Sequence, residues 1–145
     1  MLFKNEEASL KLDIVNYELP EYCGDPTGDD RNWLVLRASW CNEDGRIIKD
    51  SNSCLLTYEL QEMNAGLKVL NAGIRQSYVS TFAEPYFALA AAAEEDGFRV
   101  NVSFYLPNTM EDEDTAEVSA LMSKDEMDEL IKELDSLCAK YPDRK

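Results

Sequence analysis

The sequence predicts an α+β fold: an antiparallel sheet of six to seven strands with two amphipathic helices, at about residues 54–72 and 123–141. Three observations predict it. Most segments alternate apolar and polar residues with the period of two of a half-buried strand. Turn signals at Asp44-Gly45 and Glu95-Asp96-Gly97 join such segments as hairpins. Two segments alone carry the three- and four-residue spacing of a buried helix face. The 145 residues are read as one domain, 1–145, with a 45% apolar fraction that suffices for a core.

The first strand runs from Ser9 to Leu19 and puts Leu10, Leu12 and Ile14 on one face. The stretch PEYCGDPTGDD collects Pro, Gly and Asp and reads as a polar loop. In NWLVLRASW, Leu34, Leu36, Ala38 and Trp40 share one face, and Trp33, Val35 and Arg37 the other. Asp44-Gly45 turns the chain into the returning strand RIIKDSNSC. Leu56, Leu60, Met63, Leu67 and Leu70 then recur at helical spacing, with Ser53 or Thr57 to cap the start and Gly73 to end it. Gly66 weakens that helix by roughly 1 kcal/mol relative to Ala, so packing must hold it.

QSYVSTF and EPYFALAAAA follow as strands, with Tyr86 and Ala88 on a common face. Alanine favours helix, but the turn and strand directly after Ala93 favour a strand here. Phe98, Val100, Val102 and Phe104 share a face of the next strand, and TAEVSALM is another. Ser123 opens a capping box with Glu126. Met127, Leu130, Leu134, Leu137 and Tyr141 form the apolar face of the last helix, and Pro142 marks its end. Neither a sequence repeat nor a linker is visible.

Charge sets the functional frame. There are 29 acidic against 14 basic residues and no histidine, for a formal charge of −15. That balance argues against nucleic-acid and anionic-membrane partners, which need clustered Lys and Arg. It suits encounter with a cationic protein, and it also serves solubility alone. No apolar run is long enough to span a bilayer, and MLFKNEEASLKL lacks a signal peptide's layout, so a cytoplasmic location is expected. Cys23, Cys41, Cys54 and Cys138 form no CxxC pair and are read as reduced thiols, although Cys41 and Cys54 could meet across a hairpin.

Reactive groups are scarce. Without histidine, the usual general base and the usual partner of a Ser or Cys nucleophile are absent. Glu59 with Glu62, and Glu129 with Glu133, read as solvated helix surface. A calcium loop begun at Asp112 would place Glu117 where Gly is required and Ser123 where Glu is required, so it fails. Asp25, Asp29 and Asp30 sit in a loop without that motif. No catalytic residue, cofactor or metal is therefore assigned, and the chain is read as a non-enzyme.

Charge placement is more informative. From Glu84 to Glu117 there are nine acids and one base, Arg99. If Phe98 to Leu106 is one strand, Glu94, Glu95 and Asp96 precede it, and Glu111, Asp112, Glu113 and Asp114 follow it. At about 3.3 Å per residue the clusters lie roughly 30 Å apart, beyond a Debye length of about 8 Å, so they cannot share an ion. They can bracket an elongated negative surface. These seven acids are the candidate partner-binding residues, and solvated turns at both ends of a strand are the alternative.

Several short motifs in this order carry a resemblance. They are Asp30-Arg31-Asn32-Trp33-Leu34 at a strand start, Thr57-Tyr58-Glu59-Leu60 at a helix opening, and Phe82-Ala83-Glu84-Pro85 at a turn. Over roughly residues 8–106 the chain resembles the WapI-like family of bacterial immunity proteins, cytosolic antitoxins encoded beside polymorphic toxins. The terminal helix lies outside that likeness and reads as a variable ending. The resemblance implies a protein that binds the catalytic module of its cognate toxin, often a nuclease, and blocks it. An acidic inhibitor can occupy a phosphate-gripping groove. The alternatives are an acidic interaction or regulatory module without a toxin partner, and a carboxylate-dependent enzyme with two acids converging in a pocket.

Overall fold

A computed structural model of the chain describes residues 1–106 and 115–144. Its elements run β1 (Leu2–Lys4), β2 (Ser9–Tyr17), β3 (Trp33–Cys41), β4 (Ile47–Leu56), α1 (Thr57–Asn71), β5 (Ser77–Val79), β6 (Phe87–Glu94), β7 (Gly97–Tyr105), β8 (Thr115–Met122) and α2 (Lys124–Lys140). One 3-10 turn, Asp30–Asn32, precedes β3.

The strands form two antiparallel four-stranded sheets, ordered β1-β2-β3-β4 and β5-β6-β7-β8. The α+β class with two helices holds, but the expected single sheet of six to seven strands does not. The cause is local: α1 begins at Thr57, directly after β4 ends at Leu56, and carries the chain off that sheet's edge. β5 therefore starts a second sheet instead of pairing with β4. A four-strand meander followed by a helix thus occurs twice, although the sequence of the two halves shows no repeat. β1 was not expected, because three residues cannot display an alternation.

Both sheets turn their apolar faces to a shared core. Leu10, Leu12, Leu34 and Leu36 come from the N-terminal sheet, and Phe87, Leu89, Val100, Val102 and Phe104 from the C-terminal one. Leu60, Met63, Leu67 and Leu70 of α1, and Met127, Leu130 and Leu134 of α2, complete it. Each such side chain contributes on the order of 1.5–3 kcal/mol on burial. In β6 the buried set is Phe87, Leu89 and Ala91, which leaves Tyr86 and Ala88 on the outward side.

The β3–β4 turn is closed by Asn42, whose Oδ1 accepts from the backbone N–H groups of Asp44 (3.1 Å) and Arg46 (3.0 Å). Cys41 pairs with Ile47, while Cys54 occupies a register step opposite Leu34 and Val35, so the two thiols do not meet. All four cysteines are free thiols. The helix ends follow cap chemistry. In α2, Ser123 Oγ accepts from Glu126 N–H and Glu126 Oε1 from Ser123 N–H, both at 3.1 Å. In α1 neither Ser53 nor Thr57 caps; Leu56 holds that position. At its C-terminus, Gly73 (φ 76°) supplies the left-handed residue of a Schellman turn, with Ile74 N–H donating to Val69 O at 3.1 Å. Among the described residues no helix is long and apolar enough to cross a membrane.

Candidate partner-binding surface

The outward face of the C-terminal sheet follows from its register. Ala88, Ser103 and Glu117 form one outward row, and Val79, Ala90, Asn101 and Ser119 the next. Ser77, Ala92, Arg99 and Leu121 form a third. Between these rows Leu89, Val102 and Val118 point into the core, which fixes the alternation. The alanine run thus supplies small outward side chains, and they floor a groove of about 410 Å³ walled by Val79, Asn101 and Glu117.

At one end of this groove the rings of Tyr86 and Tyr105 stack, with centroids 5.5 Å apart and planes at 28°. With Pro85, Ser103 and Thr115 they line an adjoining cavity of about 430 Å³. Val79 (67% exposed), Leu121 (51%) and Tyr105 (39%) present apolar surface on the same face. Rigid tyrosines beside small side chains are the composition of a protein contact surface.

The acids expected at the site divide. Glu94, Glu95 and Asp96 are exposed at the β6–β7 turn, the end of the groove away from the tyrosines. Glu94 is held by Arg99, whose Nε donates to its Oε1 at 3.2 Å. Gly97 (φ 151°) lets this turn lie against β8, since a Cβ there would come within 2.2 Å of Met122 O. Glu111, Asp112, Glu113 and Asp114 lie outside the described residues. Tyr105, the last residue of β7, pairs with Thr115, the first of β8. The sequence placed Tyr86 on a strand face without a binding role, and Tyr105, Val79 and Leu121 were not singled out. Their signal was apolar residues at strand positions facing away from the core.

The motif residues have a different role. Glu59 is buried (4% exposed), so it is not the solvated acid expected. Its Oε1 accepts from Leu56 N–H at 2.9 Å and its Oε2 from Ala83 N–H at 2.7 Å, which joins the Thr57–Leu60 and Phe82–Pro85 motifs through one carboxylate. Beneath it, burial pushes the Cys54 thiol up to about 12, with the Glu59 and Glu84 carboxylates adding to the effect. Asn32 donates to Arg144 O at 3.1 Å and accepts from Arg144 N–H at 2.7 Å. Thr57 Oγ1 donates to the Asp143 carboxylate, and the Arg144 guanidinium lies 3.5 Å from the Tyr17 ring centroid. The segment after α2 is therefore held by Asn32 and Thr57 of the motifs together with Tyr17.

Other acids are engaged in structure. Asp25 accepts from the Thr27 hydroxyl (2.7 Å) and N–H (2.9 Å), which holds its carboxyl below the usual range. Hydrogen bonds from Asn71 and Lys124 do the same for Asp128, and bonds from Lys68 and Asn64 for Asp135, so these two tie α1 to α2. Among the described residues no group of three or more His, Cys, Asp or Glu is arranged to hold a metal ion.

Comparison with known proteins gives three results. The family model described as "Immunity protein WapI-like family" matches residues 1–142, so the likeness extends through α2. Among solved structures the chain is similar to "Crystal Structure of WHY3 from Arabidopsis thaliana". The TM-score is 0.53 and the identity 15%, over 97% of this chain and 86% of that one, a likeness of fold alone. No curated protein matches the chain.

Proposed function

Because the chain belongs to the immunity protein WapI-like family, we propose that it binds the catalytic domain of a cognate toxin and blocks it with the outward face of its C-terminal sheet. The immunity role comes from the family. The contact surface is inferred from one observation: the Ala/Ser-floored groove has the Tyr86–Tyr105 stack at one end and exposed Glu95 and Asp96 at the other. In this reading the tyrosines anchor the partner and the small floor admits its side chains. The acidic end steers a basic toxin surface such as a nuclease groove. Residues 1–145 then act as one binding unit in the cytoplasm, without a catalytic step of their own.

Co-expression with the toxin domain encoded beside it tests this. The parent chain restores growth and co-elutes with the toxin, whereas Tyr105→Ala combined with Ala90→Arg loses both while remaining folded. Killing at matched levels by a toxin that forms no complex with the parent would refute the immunity reading. Full protection by the double variant would refute the assigned surface alone.

A further inference from the structure

The outward face of the N-terminal sheet has the opposite charge to the molecule. Its register places Leu2, Lys11, Ser39 and Lys49 in one outward row, Lys4, Ser9, Cys41 and Ile47 in the next, and Asp13, Arg37 and Ser51 in a third. Four bases and one acid occupy these rows, in a chain with 29 acids and 14 bases, while the turns at one end of the sheet carry exposed Glu6, Glu7, Glu43 and Asp44 beside Arg46. Asp13 reaches Lys11 at 3.9 Å and Arg37 at 4.0 Å, the outer limit of ion pairing, and those two side chains stay 60% and 52% exposed. Lys4 and Lys49 are exposed as well, and Leu2 (54%) and Ile47 (67%) add apolar surface at the margin.

We propose that this face docks an acidic surface of a partner protein. At physiological salt the Debye length is about 8 Å, so a partner seated here senses these lysines more than the acids elsewhere on the molecule. A protein fits better than a nucleic acid. The face is floored by Ser9, Ser39 and Ser51, and its aromatic, Trp33, is half-buried, whereas single-stranded nucleic acid is gripped by stacking on exposed rings. A long polyanion would also extend past the four bases into the field of a molecule of charge −15. The proposal concerns a different sheet from the toxin contact, so either can fail while the other stands.

The test is titration of the isotope-labelled chain with a short acidic peptide of about six glutamates at roughly 0.1 M salt, followed by amide chemical shifts. Saturable shifts confined to outward residues of β1 to β4 are expected. Lys11→Glu with Lys49→Glu should weaken binding by roughly tenfold or more. Lys11→Gln with Lys49→Gln gives a smaller loss and serves if the reversal perturbs folding. Shifts located elsewhere, or binding unchanged in both variants, would overturn the proposal. So would tighter binding of a single-stranded oligonucleotide of similar length at the same residues.

Discussion

Glu59 is a buried carboxylate with two backbone donors, so it cannot lose an oxygen without leaving one of them unmet. Glu59→Gln turns one acceptor into a donor facing either Leu56 N–H or Ala83 N–H. An unmet buried donor costs about 1–3 kcal/mol, and that is the loss expected in urea unfolding. A change below about 0.5 kcal/mol would mean the two motifs are not joined through this residue. Cys54 and Tyr78 carry a pH signature. Burial pushes both up to about 12, from 9.0 for the thiol and 10.0 for the phenol, with Glu59 and Glu84 assisting at Cys54 and Glu62 and Glu59 at Tyr78. The folded chain keeps these protons while the unfolded chain releases them, so stability is complete below about pH 9 and falls as pH rises toward 12. Cys54→Ala and Tyr78→Phe should each flatten that decline in unfolding midpoints measured across this window. An unchanged slope in both would contradict the assignment.

At the scale of elements, α1 shows why a residue that weakens a helix is kept. A Cβ on Gly66 would lie 2.3 Å from the Tyr78 ring, so the glycine makes room for β5 to pack on the helix. Gly66→Ala gains about 1 kcal/mol of helix propensity, but the forced contact costs more, typically about 1–3 kcal/mol. Net destabilisation is expected in the parent chain and stabilisation in a Tyr78→Ala background, both read from denaturant midpoints. Stabilisation in both backgrounds would show that the ring yields freely. The need for packing at Gly66 was legible in the sequence, but its partner was not, because propensity is local and Tyr78 comes from another element. Likewise both helices were legible from their spacing, and α2 from its capping box. The division into two sheets was hidden, because alternation reports which side chains are buried and not which strands pair. The Thr57–Leu60 and Phe82–Pro85 motifs were visible as motifs, yet Glu59 was taken for a surface acid. Nothing local signals that its second donor would come from Ala83.

Across the whole molecule, bases collect in the outward strand rows of the N-terminal sheet and acids in the turns of both sheets. Four bases share the outward face of the N-terminal sheet, while Glu94, Glu95, Asp96 and Glu117 belong to the turn and outward rows of the C-terminal one. The exposure of Glu94, Glu95 and Asp96 was legible, because a hairpin turn is a property of sequence. The groove and tyrosine pair beside them were not, since they arise only when β6, β7 and β8 are brought into register. A molecule built this way should meet a basic toxin and an acidic partner on separate surfaces, each association weakening with salt. The most direct measurement is hydrogen exchange of the chain alone and bound to its cognate toxin domain, read strand by strand. Slowed exchange in the β6–β7 turn, in the β5–β6 stretch around Val79 and Tyr86, and along β8 is the predicted footprint. Protection confined to β1 through β4, or to the loop of residues 20–30, would contradict it.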